Sequence, residues 1–166
     1  MILGMSTSTF TLLHVLISLV GIGSGLIVMY GFLAGKRLEG WTLLFLATTA
    51  LTSITGFCFP FDHLTPGNKV GIISLVVLAI AIPARYALHL AGFWRTAYVI
   101  CATIALYLNC FVLVVQLFEK VPPLHALAPN GKEPAFLIAQ IALLVLFVVL
   151  GIAATKKFRS GALRTA

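Results

Sequence analysis

Residues 134–155 read PAFLIAQIALLVLFVVLGIAAT, a run that holds no charged side chain. As an α-helix, the run would be about 33 Å long at 1.5 Å per residue, enough to cross the roughly 30 Å hydrocarbon core of a bilayer. Pro134 suits the first turn of such a helix, because its missing N–H breaks no hydrogen bond there. The run therefore predicts a transmembrane helix.

The composition of the whole chain agrees with a membrane protein. Of its 166 residues, 61% are hydrophobic and 9% are charged, and the mean hydropathy is +1.12. A water-soluble domain carries roughly 25% charged residues, so this chain has too few polar side chains to cover a soluble globule. We expect an all-α integral membrane protein in which residues 1–166 form a single transmembrane domain.

Five segments are long and apolar enough to span a bilayer. The predicted transmembrane helices are residues 10–34, 41–59, 69–91, 95–118 and 134–155. Short segments with glycine, proline and charge separate them, as is typical of turns between helices. Residues 119–133 form the longest separator, and we expect an extracytoplasmic loop there that docks a partner, with extended backbone at its Pro-Pro pair.

The basic residues divide unevenly between the two ends of these predicted helices. If successive helices alternate in direction, one side carries eight Lys and Arg residues and the other carries three. Because short cytoplasmic loops are enriched in Lys and Arg, the N-terminus is predicted to be outside and the basic tail, residues 156–166, in the cytoplasm. The same rule accounts for the net charge of +7 without a nucleic-acid partner. The larger group is Lys36, Arg37, Arg85, Arg95, Lys156, Lys157, Arg159 and Arg164, and the smaller is Lys69, Lys120 and Lys132.

Ionisable groups are scarce inside the predicted spans. All four acidic residues fall outside them: Glu39, Asp62, Glu119 and Glu133. Proton-coupled transporters and pumps usually carry such groups at membrane depth, so this class is disfavoured. No acid and base lie at one depth either, so the sequence singles out no catalytic residue and the chain is predicted to be non-enzymatic.

Uncharged polar residues do occur within the spans, and they share helix faces. The amide side chains are Asn109, Gln116 and Gln140, and a threonine stripe runs along the second helix. One interpretation is helix packing, because amides hydrogen-bond between membrane helices and pairs such as Gly21 and Gly25 allow close approach. The other is a polar cavity for a small lipophilic ligand, such as a quinone head group bound by Asn109 or Gln116.

The third predicted helix contains Pro83 and ends in basic residues. We expect the helix to continue to Leu90, with Arg85 extending to the cytoplasmic head groups. The alternative is a cluster of Arg85, Tyr86 and His89 that grips an anionic ligand, such as a haem propionate or a phospholipid.

Three of the four histidines are predicted on the outer side. Together with a carboxylate they form a candidate haem or metal site, made of His14, Asp62, His63 and His125. The spacing is not diagnostic, and the segment around Asp62 and His63 can equally be a polar turn. His14 and His89 are predicted more than about 20 Å apart in height, which excludes them as two ligands of one haem.

The sequence therefore favours a non-enzymatic accessory, assembly or interaction subunit of a bacterial inner membrane. We expect its partners to be the lipid bilayer and either another membrane protein or further copies of the chain. Two alternatives stay open. One is a redox subunit that binds haem, a metal or a quinone, and the other is an oligomeric channel or small-solute transporter.

Overall fold

The computed structural model describes residues 2, 4–60 and 63–163, with side chains up to Phe158. This part of the chain is helical except for turns and one isolated bridge between Ile2 and Met5. The helices are α1 (Thr7–Leu33), α2 (Glu39–Gly56), α3 (Pro66–Tyr86), α4 (Phe93–Lys120), α5 (Pro122–Leu127) and α6 (Pro134–Leu163). The prediction of an all-α protein is confirmed.

Four of these helices are long and apolar enough to cross a membrane. They are Thr7–Leu33, Pro66–Tyr86, Phe93–Lys120 and Pro134–Phe158, which supports a multi-pass membrane protein. The second predicted span, residues 41–59, corresponds to α2, which is less apolar because it carries Glu39, several threonines and one serine. Length and composition thus identify four candidate spans in the described residues, one fewer than the five predicted.

The long helices pack with alternating directions. At one end Phe32 of α1 makes edge contacts with Tyr98 of α4 and Phe158 of α6, with ring centroids 5.5 and 5.1 Å apart. At the opposite end, Phe118 of α4 meets Phe136 of α6 at 5.4 Å. After the orientation predicted from the sequence, we name the end with Phe32 and Tyr98 the inner end, and the end with Phe118 and Phe136 the outer end.

Close packing at Gly25 draws α1, α2 and α4 together in the inner half of the bundle. A Cβ atom built on Gly25 would lie 2.5 Å from Leu106 Cδ1 and 2.9 Å from the Phe45 ring. Phe45, Leu106 and Tyr98 are each no more than 1% exposed. The core at this level is therefore filled by side chains, and α1 can approach only because residue 25 has none.

Three hydroxyl groups of α2 donate to carbonyl groups of the preceding turn of the same helix. Thr48 donates to the carbonyl of Leu44 at 2.6 Å, and Thr55 donates to that of Leu51 at 2.7 Å. Ser53 does the same with Thr49 at 3.0 Å. Such back-bonding to the preceding turn lets Ser and Thr side chains be buried without an unpaired donor.

The third helix ends earlier than the sequence predicts. α3 stops at Tyr86 rather than near residue 91, and the carbonyl of Pro83 accepts from the N–H groups of both Ala87 and Leu88 at 2.9 Å. His89 and Leu90 then take positive φ values of 47° and 59°. The chain turns sharply there, through a backbone region that residues other than glycine seldom occupy.

The loop at residues 119–133 also differs from the prediction of extended backbone. It contains the short helix α5, whose first turn is formed by the Pro-Pro pair. Proline fits the first helical turn, while Val121, the residue before it, is extended with φ −93° and ψ 112°. The two prolines therefore start a helix rather than prevent one.

Candidate functional site

A cavity of about 570 Å³ lies in the outer half of the bundle, between α1, α2, α3 and α4. Apolar side chains such as Leu19, Val70 and Leu113 form much of its wall. Its polar lining consists of Thr11, His14, Ser18, Thr52, Ser53, Asn68, Ser74, Asn109, Gln116 and Lys120. The cavity therefore offers a mostly apolar space with several hydrogen-bonding groups, which is the usual character of a small-molecule site.

His14 is fixed in the cavity wall by contacts from α2 and the segment that follows it. Its Nδ1 lies 2.8 Å from Thr55 Oγ1, and its ring meets the Phe59 ring edge-on at a centroid distance of 5.3 Å. Because Thr55 also donates to a carbonyl of its own helix, its hydroxyl accepts from His14, which places the proton on Nδ1 and leaves Nε2 as an acceptor.

Asn109 and the hydroxyl groups around it line the deepest part of the cavity. Its Nδ2 donates to Thr49 Oγ1 at 3.1 Å, which joins α4 to α2. Nearby, the hydroxyl groups of Ser53 and Ser74 lie 3.1 Å apart in a hydrogen bond that joins α2 to α3. Asn109 keeps a second amide hydrogen and its carbonyl oxygen for another partner.

Gln116 and Lys120 lie one turn apart near the mouth of the cavity. The Gln116 amide donates to Glu119 Oε2 at 3.1 Å. Among the described lining residues, Lys120 is the one with a formal charge. The mouth of the cavity is therefore positively charged. The neighbouring carboxylate, that of Glu119, is exposed on the surface of α4 and does not line the cavity.

Gln140, the third amide singled out by the sequence, is not part of this lining. Its Nε2 donates to the carbonyl of Phe111 at 3.3 Å, so it links α6 to α4. Its Oε1 is buried without a hydrogen-bond partner. Two of the three predicted amides thus face the cavity, and the third serves helix packing.

The four residues of the predicted outer haem or metal site have different surroundings. His14 lines the cavity, whereas His63 and His125 are exposed. Asp62 lies outside the described residues. Within residues 4–60 and 63–163, no three His, Cys, Asp or Glu side chains are grouped so that they could hold a metal ion.

A second, smaller pocket of about 190 Å³ lies at the inner end. It brings together the predicted cluster of Arg85, Tyr86 and His89, and adds Arg37, Glu39 and Leu90. His14 and His89 thus lie at opposite ends of the bundle, as the sequence predicts. We refer to these six residues as the inner pocket.

The expectation that Arg85 extends to the lipid head groups is wrong. Arg85 is only 6% exposed, and its Nη2 donates to Glu39 Oε2 at 2.6 Å. Its guanidinium also lies 5.3 Å from the Tyr98 ring centroid and 5.8 Å from that of Tyr86. Because α3 ends at Tyr86 and α2 begins beside it, an acid and two aromatic rings hold the charge inside the bundle.

Sequence reasoning missed Glu39, which it treated as a loop residue. The signal available was an acid at the first turn of a helix, where a negative charge is favoured by the helix dipole. That position did not reveal its pairing with Arg85, which lies 46 residues further along the chain.

No protein-family model, curated protein or solved structure matches this chain.

Proposed function

We propose that the protein is a non-enzymatic membrane protein that binds one small amphipathic molecule in the outer cavity. The observation that carries the proposal is the 570 Å³ space itself, since ligand sites typically enclose about 300–1,000 Å³. The inner half of the bundle is filled by Phe45, Tyr98 and Leu106, so the space ends part-way through the molecule. A blind cavity suits binding better than conduction through a single chain.

The lining favours a ligand with an apolar body and a polar head that accepts hydrogen bonds. Asn109 has a free amide hydrogen and Lys120 is cationic, while the described lining residues include no carboxylate. A quinone fits this chemistry, because its carbonyl oxygens are acceptors and its ring and tail are apolar. No acid–base pair or cysteine is found among the described lining residues, which supports binding rather than catalysis.

We also propose that α2 crosses the membrane, giving five spans with the N-terminus outside and the C-terminus in the cytoplasm. Glu39 at the start of α2 lies beside Arg85 at the end of α3, and Thr55 near its end lies beside His14 near the start of α1. Hence α1 and α3 run in the same direction, and the chain between them must return along the bundle. With 18 residues, α2 lies at the short end of the range of about 17–25 residues found for spanning helices.

The proposed setting is a bacterial inner membrane, where the protein serves as an accessory subunit in contact with lipid. In α6, the most apolar 18-residue window is only 11% buried within the chain. Its outward face is thus available to lipid, to another membrane protein or to a second copy. Co-purification from native membranes in mild detergent tests for such a partner.

Binding to the outer cavity is tested with a short-chain ubiquinone analogue on the detergent-solubilised protein. We expect saturable binding by equilibrium dialysis, weakened about tenfold or more by Asn109→Leu or Lys120→Met, because each substitution removes a hydrogen-bond donor from the lining. Gln140→Leu is the matched control, since it removes a buried amide outside the cavity and should leave binding unchanged. Failure to bind, or equal weakening by all three variants, would contradict the proposal.

A further inference from the structure

The inner pocket is a second site, independent of the outer cavity. Two stretches of the chain that are distant in sequence, residues 37–39 and 85–90, build it. Arg37 comes from the α1–α2 connection, Glu39 from the first residue of α2, and Arg85 and Tyr86 from the end of α3. His89 completes it from the turn that follows α3. The cluster is thus a tertiary arrangement rather than a chance run of neighbours in sequence.

Arg85 brings unused hydrogen-bonding capacity to this pocket. Its side chain is only 4% exposed, and its Nη2 is paired with Glu39. A guanidinium has five N–H donors in a fixed plane, and the Nε of Arg85 is buried without a partner. A buried donor of a charged group is costly to leave unpaired. A ligand with several oxygen atoms would accept the hydrogen bond that the Nε–H of Arg85 does not make within the protein.

The turn after α3 holds His89 in place at a conformational cost. His89 and Leu90 have φ values of 47° and 59°, a region that non-glycine residues seldom occupy and that is concentrated at functional sites. Leu90 is 2% exposed and its N–H donates to the carbonyl of Ala84 at 3.0 Å. The buried leucine therefore anchors the turn, and the imidazole at the preceding position lines the pocket.

The charges favour an anion. Two guanidinium groups and one carboxylate give a net charge of +1 before any proton on His89. The two members of the ion pair differ sharply in accessibility, because the Glu39 side chain is 68% exposed while that of Arg85 is 4% exposed. Glu39 can therefore move into solvent, whereas Arg85 is fixed by α3 and the Tyr98 ring.

We propose that the inner pocket binds a phosphate or phosphomonoester group, which displaces the Glu39 carboxylate from Arg85. Arginine pairs with phosphate through two parallel N–H···O bonds, and Arg37 and His89 supply further donors. The same chemistry is carried by the head group of a phosphatidate lipid and by free phosphate. The inference does not depend on what the outer cavity binds.

The experiment uses the full-length protein in two arms. Equilibrium dialysis with radiolabelled inorganic phosphate tests the free anion in detergent. Native mass spectrometry after release from phosphatidylcholine vesicles with and without phosphatidate tests the lipid. Binding in either arm supports the site, and the arm that responds identifies the source. Binding of neither ligand would overturn the proposal.

Variants distinguish the site from a purely structural ion pair. Glu39→Gln removes the competing carboxylate and should raise the affinity about tenfold, whereas Arg37→Gln should lower it about tenfold. Lys36→Gln is the matched control, because it removes a neighbouring exposed cation that does not line the pocket. Arg85→Gln should abolish binding, and the exposed Arg37 keeps the test informative if that variant does not fold. Unchanged affinity in both Glu39→Gln and Arg37→Gln would reject the site.

Discussion

At the scale of single residues, the absence of a side chain at position 25 decides how closely three helices approach. We predict that Gly25→Ala destabilises the protein by about 1–3 kcal/mol, the usual cost of forcing an extra methyl group into a packed core. The new methyl would meet Leu106 and the Phe45 ring at 2.5–2.9 Å. Thermal unfolding in detergent, followed by circular dichroism, measures the loss.

Gly23 provides the control for that substitution. It lies in the same helix, but a Cβ built there has no atom within 4 Å. Gly23→Ala should therefore be neutral or stabilising by up to about 1 kcal/mol, because alanine favours the helix. Equal effects at positions 23 and 25 would show that the close approach to α2 and α4 does not limit stability.

The sequence predicted some site residues and missed others for a physical reason. Asn109 and Gln116 were identifiable because polar groups within an apolar helix must face a partner or a cavity. The partner of Arg85 was not identifiable, since Glu39 is brought to it only by the packing of α2 against α3. Likewise, the threonine stripe of α2 was visible, but its bond to His14 depends on how α1 and α2 are paired.

At the scale of helices and turns, hydropathy located the long helices well and their ends less well. The end of α3 was misplaced because Leu88 and Leu90 continue the apolar pattern, whereas the backbone leaves the helix after Tyr86. The helix α5 was missed because a Pro-Pro pair fits both extended backbone and a first helical turn. At the end of α3 and at the start of α5, the local sequence is compatible with both helical and non-helical backbone. The hydrogen bonds of each turn determine which of the two forms.

The turn before α6 depends on one ionised acid. Oε1 of Glu133 accepts from the Asn130 backbone N–H at 3.1 Å and from its Nδ2 at 2.9 Å, and Oε2 accepts from the Lys132 N–H at 3.0 Å. Desolvation raises the pKa of Glu133, but bonds from the Asn130 side chain and from the backbone outweigh it and hold the pKa below 4.5. These bonds stabilise the charged form.

The sign of the pH dependence follows from that lowered pKa. The contribution of Glu133 to stability is fully present above the pKa of the unfolded chain, near 4.5, and is lost as pH falls through the lower folded pKa. We predict that Glu133→Gln is less stable than the wild type at pH 7 and equal to it in stronger acid. Denaturant unfolding across this range measures the difference. In a protein that also carries Asn130→Ala, the stability difference caused by Glu133→Gln should be smaller. A stability difference that does not change with pH would show that the ionised Glu133 carboxylate is not its cause.

At the scale of the whole molecule, the parallel directions of α1 and α3 predict which loops share a side of the membrane. In a background without Cys58, Cys101 and Cys110, single cysteines are placed at Lys36, Leu64 and Lys132. A membrane-impermeant maleimide added to intact cells should label positions 64 and 132 and spare position 36. Labelling of positions 36 and 64 from the same side would show that α2 does not cross.

The back-bonded hydroxyls of α2 also bear on how the chain enters the bilayer. A helix this rich in threonine is a weak signal for the translocon, which responds to apolar side chains more than to satisfied hydroxyls. Yet α1 precedes it and shares with it the most extensive helix–helix interface of the bundle. On the proposed topology, α1 and α2 would therefore partition into lipid together as a hairpin, and the insertion of α2 would depend on the helix synthesised before it.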